Sequence, residues 1–261
     1  MQDRPPLSEL YPELASVGGL VHGLQDALAE IGSPLTVRTK WGKSETHPRK
    51  WREKFPDSVC VCVGSGSRMS QVFVNSYVRL FQCDLWCHGV CMGRVAAPNI
   101  LAIAAVLHNW IHNRVKSCEL KSDHVHVEIN DHAQAFENGT EVEYQWNRLE
   151  QTIPTALPEL SEFFNIARNT PKLRPLYPYT SHYSFCFSRC TGYPFTFDCP
   201  AVTPKWIPEK KKRSFTAYKV SLPADIPLGE GDAKAVLELV LKHLPANCGP
   251  AVAGTADTIS L

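Results

Sequence analysis

The chain has 261 residues, 27 of them basic and 26 acidic, so no overall field draws it to nucleic acid or to an anionic membrane. An apolar fraction of 44% and a charged fraction of 20% describe a soluble chain long enough to bury a sizeable core. No window holds the roughly 18 to 20 apolar residues of a membrane helix, and the first ten residues lack the basic and apolar blocks of a signal peptide. The expected compartment is the cytoplasm, where the ten cysteines read as reduced thiols.

Residues 1–8 read as a loose tail. From Glu13 to Ile31, Leu14, Val17, Leu20, Val21, Leu24, Leu28 and Ile31 recur every three or four positions, which predicts one amphipathic helix stopped by Gly32. A strand is expected at 35–40 and a charged, exposed loop at 41–57. The 58–63 stretch is β-rich and turns through Gly64-Ser65-Gly66-Ser67 into a strand at 71–74. A further strand or pair of strands is expected over 77–95. Pro98 suits the first turn of a helix to about Lys116, with Ile100, Ile103, Leu107, Ile111 and Val115 inside.

Thr140 with Glu143 fits a capping box, a second helix is expected over 158–169, and Asn138-Gly139-Thr140 reads as a turn. After a strand at 182–189, residues 191–208 read as an irregular aromatic loop and 209–213 as a basic hairpin tip. A strand at 215–220 and a helix at 233–244 complete the chain. The fold expected is α+β, a mainly antiparallel sheet with helices packed on one side. It forms either a single domain over 9–261 or two intimate lobes, 9–120 and 121–261.

Several constellations invite a metal or phosphate reading. Cys83, Cys87 and Cys91 are spaced by four, which departs from the zinc-knuckle spacing. On a strand they share a face with Leu85, as core-packing thiols do. His108 and His112 share a helical face but lack the glutamate of a zinc protease. His124, His126 and His132 read as solvated. The Gly64–Ser67 turn lacks the helix that would hold a phosphate. No metal and no cofactor is expected.

The richest stretch is Ser-His-Tyr-Ser-Phe-Cys-Phe-Ser-Arg-Cys-Thr-Gly-Tyr-Pro at 181–194. As a strand it places Tyr183, Phe185 and Phe187 on one buried face. His182, Ser184, Cys186, Ser188 and Cys190 fall on the other. His182 and Ser184 would stand about 7 Å apart at the backbone, and imidazole can serve as acid or base near neutrality. Ser184 and Ser188 would orient it, Cys190 offers a nucleophile if a nearby charge activates it, and Arg189 can clamp an anion. Thr191, Tyr193, Phe195 and Trp206 would line the substrate. The bland reading of the same row is a hydrogen-bond ladder that fixes the loop after it.

Three segments carry a resemblance: 11–32, from Tyr-Pro-Glu-Leu to Leu-Ala-Glu-Ile-Gly; 176–195, containing Phe-Ser-Arg-Cys-Thr-Gly-Tyr-Pro-Phe; and 243–257, containing Cys-Gly-Pro-Ala. On these the chain resembles a bacterial family of unknown function whose members are labelled natural product biosynthesis proteins. The resemblance implies a cytoplasmic accessory protein of specialised metabolism, and it supports two expectations. One is a tailoring enzyme acting on a small-molecule or peptide intermediate through His182. The other is a non-catalytic binding protein, for self-protection or for product or peptide recognition, using the aromatic stretch 193–206. A biosynthetic protein partner is compatible with both, and neither involves nucleic acid or membrane.

Overall fold

Nine α-helices and two antiparallel sheets are built from residues 5–39, 60–223, 225–246 and 248–259, the part of the chain that the computed structural model describes. The fold is α+β. It divides into two compact units, Met1–Glu137 and Asn138–Leu261. Among the described residues no helix is long and apolar enough to cross a membrane. The charged loop expected at 41–57 lies outside the described residues, as does the start of the 1–8 tail, whose Leu7 already opens a helix.

The first unit begins with α1 (Leu7–Leu10), α2 (Pro12–Val17) and α3 (Leu20–Glu30). The single helix expected over 13–31 is therefore two. Gly18 and Gly19 both adopt positive φ, 88° and 114°, a conformation glycine reaches without a Cβ clash, and the chain re-aims between them. Tyr11 anchors this corner: its ring packs edge-on to Phe81 and its hydroxyl reaches the carbonyl of Asn75 at 2.8 Å.

A six-stranded sheet comes next, in simple chain order: β1 (Val37–Arg38), β2 (Cys60–Ser65), β3 (Arg68–Val74), β4 (Phe81–Cys87), β5 (Val90–Ala97) and β6 (Val127–Ile129). Ser65 pairs with Arg68, so Gly66-Ser67 is a two-residue hairpin turn, as its composition predicts. Val61, Val63, Val72, Val74, Phe81, Cys83 and Leu85 face α3 and α4 (Ile100–Leu107) in one core, while Gln71, Gln82, Asp84 and Arg94 take the opposite face. Pro98 falls before the first turn expected for it, and Asn99 caps α4, its side chain accepting from the Ala102 amide at 2.8 Å. A π-helical turn, His108–His112, α5 (Ser117–Asp123) and α6 (Ala133–Glu137) complete the unit.

The metal readings meet a plain geometry. The turn at His88-Gly89 puts Cys91 on β5 opposite Trp86, so the three cysteines do not lie on one strand as expected. Cys83 sits in the core, where burial pushes its thiol far up. The rings of His108 and His112 lie 5.0 Å apart, but His108 Nδ1 is engaged by Ser33 Oγ at 3.0 Å and His124 Nε2 by the Asn109 amide at 2.9 Å. Among the described residues no three His, Cys, Asp or Glu side chains gather into a metal-binding group.

The second unit opens with α7 (Glu141–Ala156), a 3-10 turn at Pro158–Leu160 and α8 (Ser161–Arg168). Then come β7 (Tyr177–Ser181), β8 (Ser184–Ser188), β9 (Ala201–Ile207), β10 (Lys212–Leu222), β11 (Ile226–Gly231) and α9 (Ala233–Lys242). They form an antiparallel meander in the order β11-β10-β9-β8-β7. Three of these strands go beyond the sequence pattern: it does not predict β7 or β11, and β9 replaces part of the irregular loop expected at 191–208. Each contains a proline. Pro178 and Pro227 lie on the two edge strands. Pro204 lies past Val202, the point where β8 pairs with β9, and so its missing N–H costs little. Trp146, Phe163, Phe164, Phe185, Phe187, Val202, Tyr218, Val220, Val236 and Val240 form the core between this sheet and its helices.

Candidate functional site

The 181–194 motif forms a hairpin turn, the strand β8 and the start of the loop beyond it. Ser181 pairs with Ser184, so His182 and Tyr183 are the two turn residues, and His182 takes the positive φ, 53°, that such turns require. The strand thus starts at Ser184 and not at His182. Tyr183 is 51% exposed and leaves the buried aromatic face expected for it. From Ser184 onward the alternation holds. Phe185 and Phe187 point into the core, edge-on to each other at 5.2 Å, while Ser184 bonds Thr203 of β9 on the other face at 2.7 Å.

At the far end of β8 a polar knot closes. The buried Ser188 hydroxyl donates to the Cys190 carbonyl at 2.7 Å and accepts from the amides of Cys190 at 3.0 Å and Thr196 at 3.2 Å. Thr196 Oγ1 in turn accepts from the Arg189 amide at 2.9 Å. The Arg189 guanidinium pairs with Asp198. Cys190 is fully buried, its sulfur 3.5 Å from the Gly192 carbonyl. Phe195 stacks on Tyr179 at 4.4 Å, and the buried Cys186 beneath has its thiol pushed up to about 11 by burial, against a hydrogen bond with Tyr179.

The tail completes this knot. Val252 donates to the Arg189 carbonyl at 3.0 Å and accepts from the Thr191 amide at 3.1 Å, Gly192 donates to Gly254 at 2.8 Å, and Ala256 donates to Pro194 at 2.8 Å. The two most distinctive segments of the sequence are therefore main-chain partners, joined through a parallel bridge between Cys190 and Val252.

The near end of β8 looks different. The Arg213 guanidinium lies 3.8 Å over the ring of Tyr183 and 5.8 Å from that of Trp206. Trp206 is 50% exposed and pairs with Arg213 across the β9–β10 hairpin. The hairpin tip carries Lys210, Lys211 and Lys212, all exposed, beside the one acid Glu209.

The strand therefore separates residues that the sequence groups together. His182 and Ser184 belong to the exposed end, near Trp206. Ser188, Arg189, Cys190, Thr191 and Phe195 belong to the knot, with Tyr193 at its surface and 66% exposed. At about 3.3 Å per residue, Ser184 and Ser188 stand roughly 13 Å apart along β8, with His182 in the turn beyond Ser184. Of the candidate hydroxyls and thiols Ser184 adjoins the turn that carries His182, and its hydroxyl already bonds Thr203.

Several participants escape a reading of the sequence. Thr196, Asp198, Cys199 and Cys248 are brought in by folding alone. Arg213 has a signal, since it mirrors Trp206 across a basic, proline-bearing turn. Two cavities lie elsewhere: one of about 580 Å³ in the first unit, lined by Asp84, Arg94, His126 and Glu128 among others, and one of about 430 Å³ in the second, lined by Glu150, Asn165, Arg168, Asn169 and Arg174. None of the sequence-predicted site residues lines either.

No protein of curated function and no solved structure matches the chain significantly. The opening segment 11–32 lies outside the family match. The hairpin, the knot and the tail up to Thr255 all fall within residues 140–255, which match the model of a family of unknown function, DUF6193.

Proposed function

We propose that the chain is a binding protein of natural-product biosynthesis that recognises an acidic peptide intermediate at the exposed end of the second sheet. The observation that carries this reading is the stack of Arg213 over Tyr183 and beside Trp206, with both rings half exposed. Aromatic and arginine side chains are the usual anchors of interfaces: the rings bury large area with two torsions to freeze, and the guanidinium adds a planar set of donors. Exposed cation–π pairs contribute only about 0.5–1 kcal/mol to the free protein, so folding gives little reason to keep both rings at the surface. The neighbouring lysines supply charge that complements carboxylates.

The polar row that suggests an enzyme gives less support. Ser188 and Cys190 are sealed in the knot, and Arg189 already holds Asp198. An acid–base role for His182 would have to run through this imidazole and an outside substrate alone.

Fluorescence anisotropy with a labelled Glu/Asp-rich peptide containing one tryptophan tests the proposal. Saturable binding is expected, weakened at least 10-fold by Trp206→Ala and by Arg213→Ala, and unchanged in His182→Ala. Wild-type affinity in both of the first two variants overturns it. The rival is tested in the native host: accumulation of one new precursor in both His182→Ala and a deletion strain would make the protein an enzyme.

A further inference from the structure

Two of the ten cysteines come from distant segments and meet. Cys199 follows Asp198 at the end of the loop that Ser188 and Thr196 close, and Cys248 opens the tail that runs beside 189–194. Their sulfurs lie 3.9 Å apart, across 49 residues of chain. Each segment is fastened separately, one by the Arg189–Asp198 pair and the other by the tail's main-chain bonds, so the meeting is set by the backbone. A disulfide has an S–S distance of about 2.05 Å, so closure needs the sulfurs to approach by about 2 Å.

The two thiols are not equivalent. Cys199 is 5% exposed, whereas Cys248 is half-buried and reachable. The hydrogen bond shared with Cys199, aided by the charge of Arg189, holds Cys248 below the ordinary thiol range against burial and Asp198. The same bond, with burial, pushes Cys199 up. A partly exposed thiol of lowered pKa beside a sheltered partner is the arrangement of an attacking and a resolving cysteine. Elsewhere burial pushes Cys62 and Cys83 up, and Cys118 is exposed.

We propose that Cys199 and Cys248 form a reversible disulfide site that reacts with low-molecular-weight disulfides. The Cys248 thiolate attacks one sulfur of the small disulfide, forming a mixed disulfide and expelling one small thiolate. Cys199 then loses its proton and attacks the Cys248 sulfur, forming the internal disulfide and expelling the second small thiolate. The protein loses two electrons and two protons, and the small disulfide becomes two thiols. The bond ties the tail to the 195–199 loop, and excess thiol reverses it.

The test incubates the full chain with oxidised glutathione, followed by non-reducing peptide mapping and thermal melting. A Cys199–Cys248 linked peptide is expected, with a mass loss of ~2 Da, and a reductant-reversible rise in Tm of about 5 °C or more. Cys248→Ser abolishes the link. Cys199→Ser traps glutathione on Cys248. Modification of the exposed Cys118 while Cys199 and Cys248 stay free overturns the proposal, as does a Cys199→Ser protein whose Cys248 stays unmodified.

Discussion

Replacing Trp146 with alanine is expected to destabilise the second unit by about 3–5 kcal/mol. The indole has no exposed surface. It lies 5.8 Å from Phe164, 5.9 Å from Phe185 and 6.3 Å from Phe187, centroid to centroid, so it joins a helix to the motif strand. Its N–H donates to the Arg174 carbonyl at 3.0 Å, just before β7 begins. Truncation removes this bond and leaves a cavity that the aromatic neighbours cannot fill without leaving their rotamers. Domains of this size hold only about 5–15 kcal/mol in reserve. Native-state hydrogen exchange at the Phe185, Val202 and Val220 amides measures the loss within this unit alone. A change below about 1 kcal/mol there would contradict the central place given to Trp146. The surface variant Trp206→Ala serves as the control and should shift protection by no more than about 0.5 kcal/mol.

Ser188→Ala is expected to cost about 2–4 kcal/mol, a large effect for the loss of one oxygen atom. That oxygen accepts from two buried amides, those of Cys190 and Thr196, and donates to the Cys190 carbonyl. Alanine leaves the amides without a partner and gives water no easy route to them. The knot should loosen as a unit, so faster exchange at Thr191, Gly192 and Thr196 is the readout. Peptide binding at the other end of the strand should stay within about 2-fold of wild type, since distant sites behave additively. If Ser188→Ala keeps full protection but loses an activity in the host, Ser188 acts chemically and the structural account of it fails.

The parts of this fold that are legible in the sequence share one property: the signal is local. Phe185 and Phe187 alternate with small residues, and Val61, Val63, Val72 and Val74 alternate around a Gly-Ser turn, so their faces follow from chain geometry alone. The failures are of two kinds. Some signals are masked, as where Gly18-Gly19 interrupts a regular apolar repeat, or where prolines sit in β7, β9 and β11. The His182 turn belongs here too, because His-Tyr carries no glycine or asparagine to announce a positive φ. Other features have no local signal. Ser188 with Thr196, Arg189 with Asp198 and Cys199 with Cys248 come together only when loop and tail fold onto the strand. The candidate site reads as one because its residues are adjacent in sequence. The extended strand β8 holds its two ends roughly 13 Å apart, and two ends with different chemistry are the result.

The prolines on the two outer strands of the second sheet have a consequence for recognition. A sheet edge normally offers a row of free amides and carbonyls that can capture an extended peptide as one more strand. Pro178 in β7 and Pro227 in β11 each remove a donor from that row. A visiting backbone would find an interrupted template on either side. Selection therefore falls to side chains, and a partner must be distinguished by the rings and charges it carries rather than by its ability to extend the ladder.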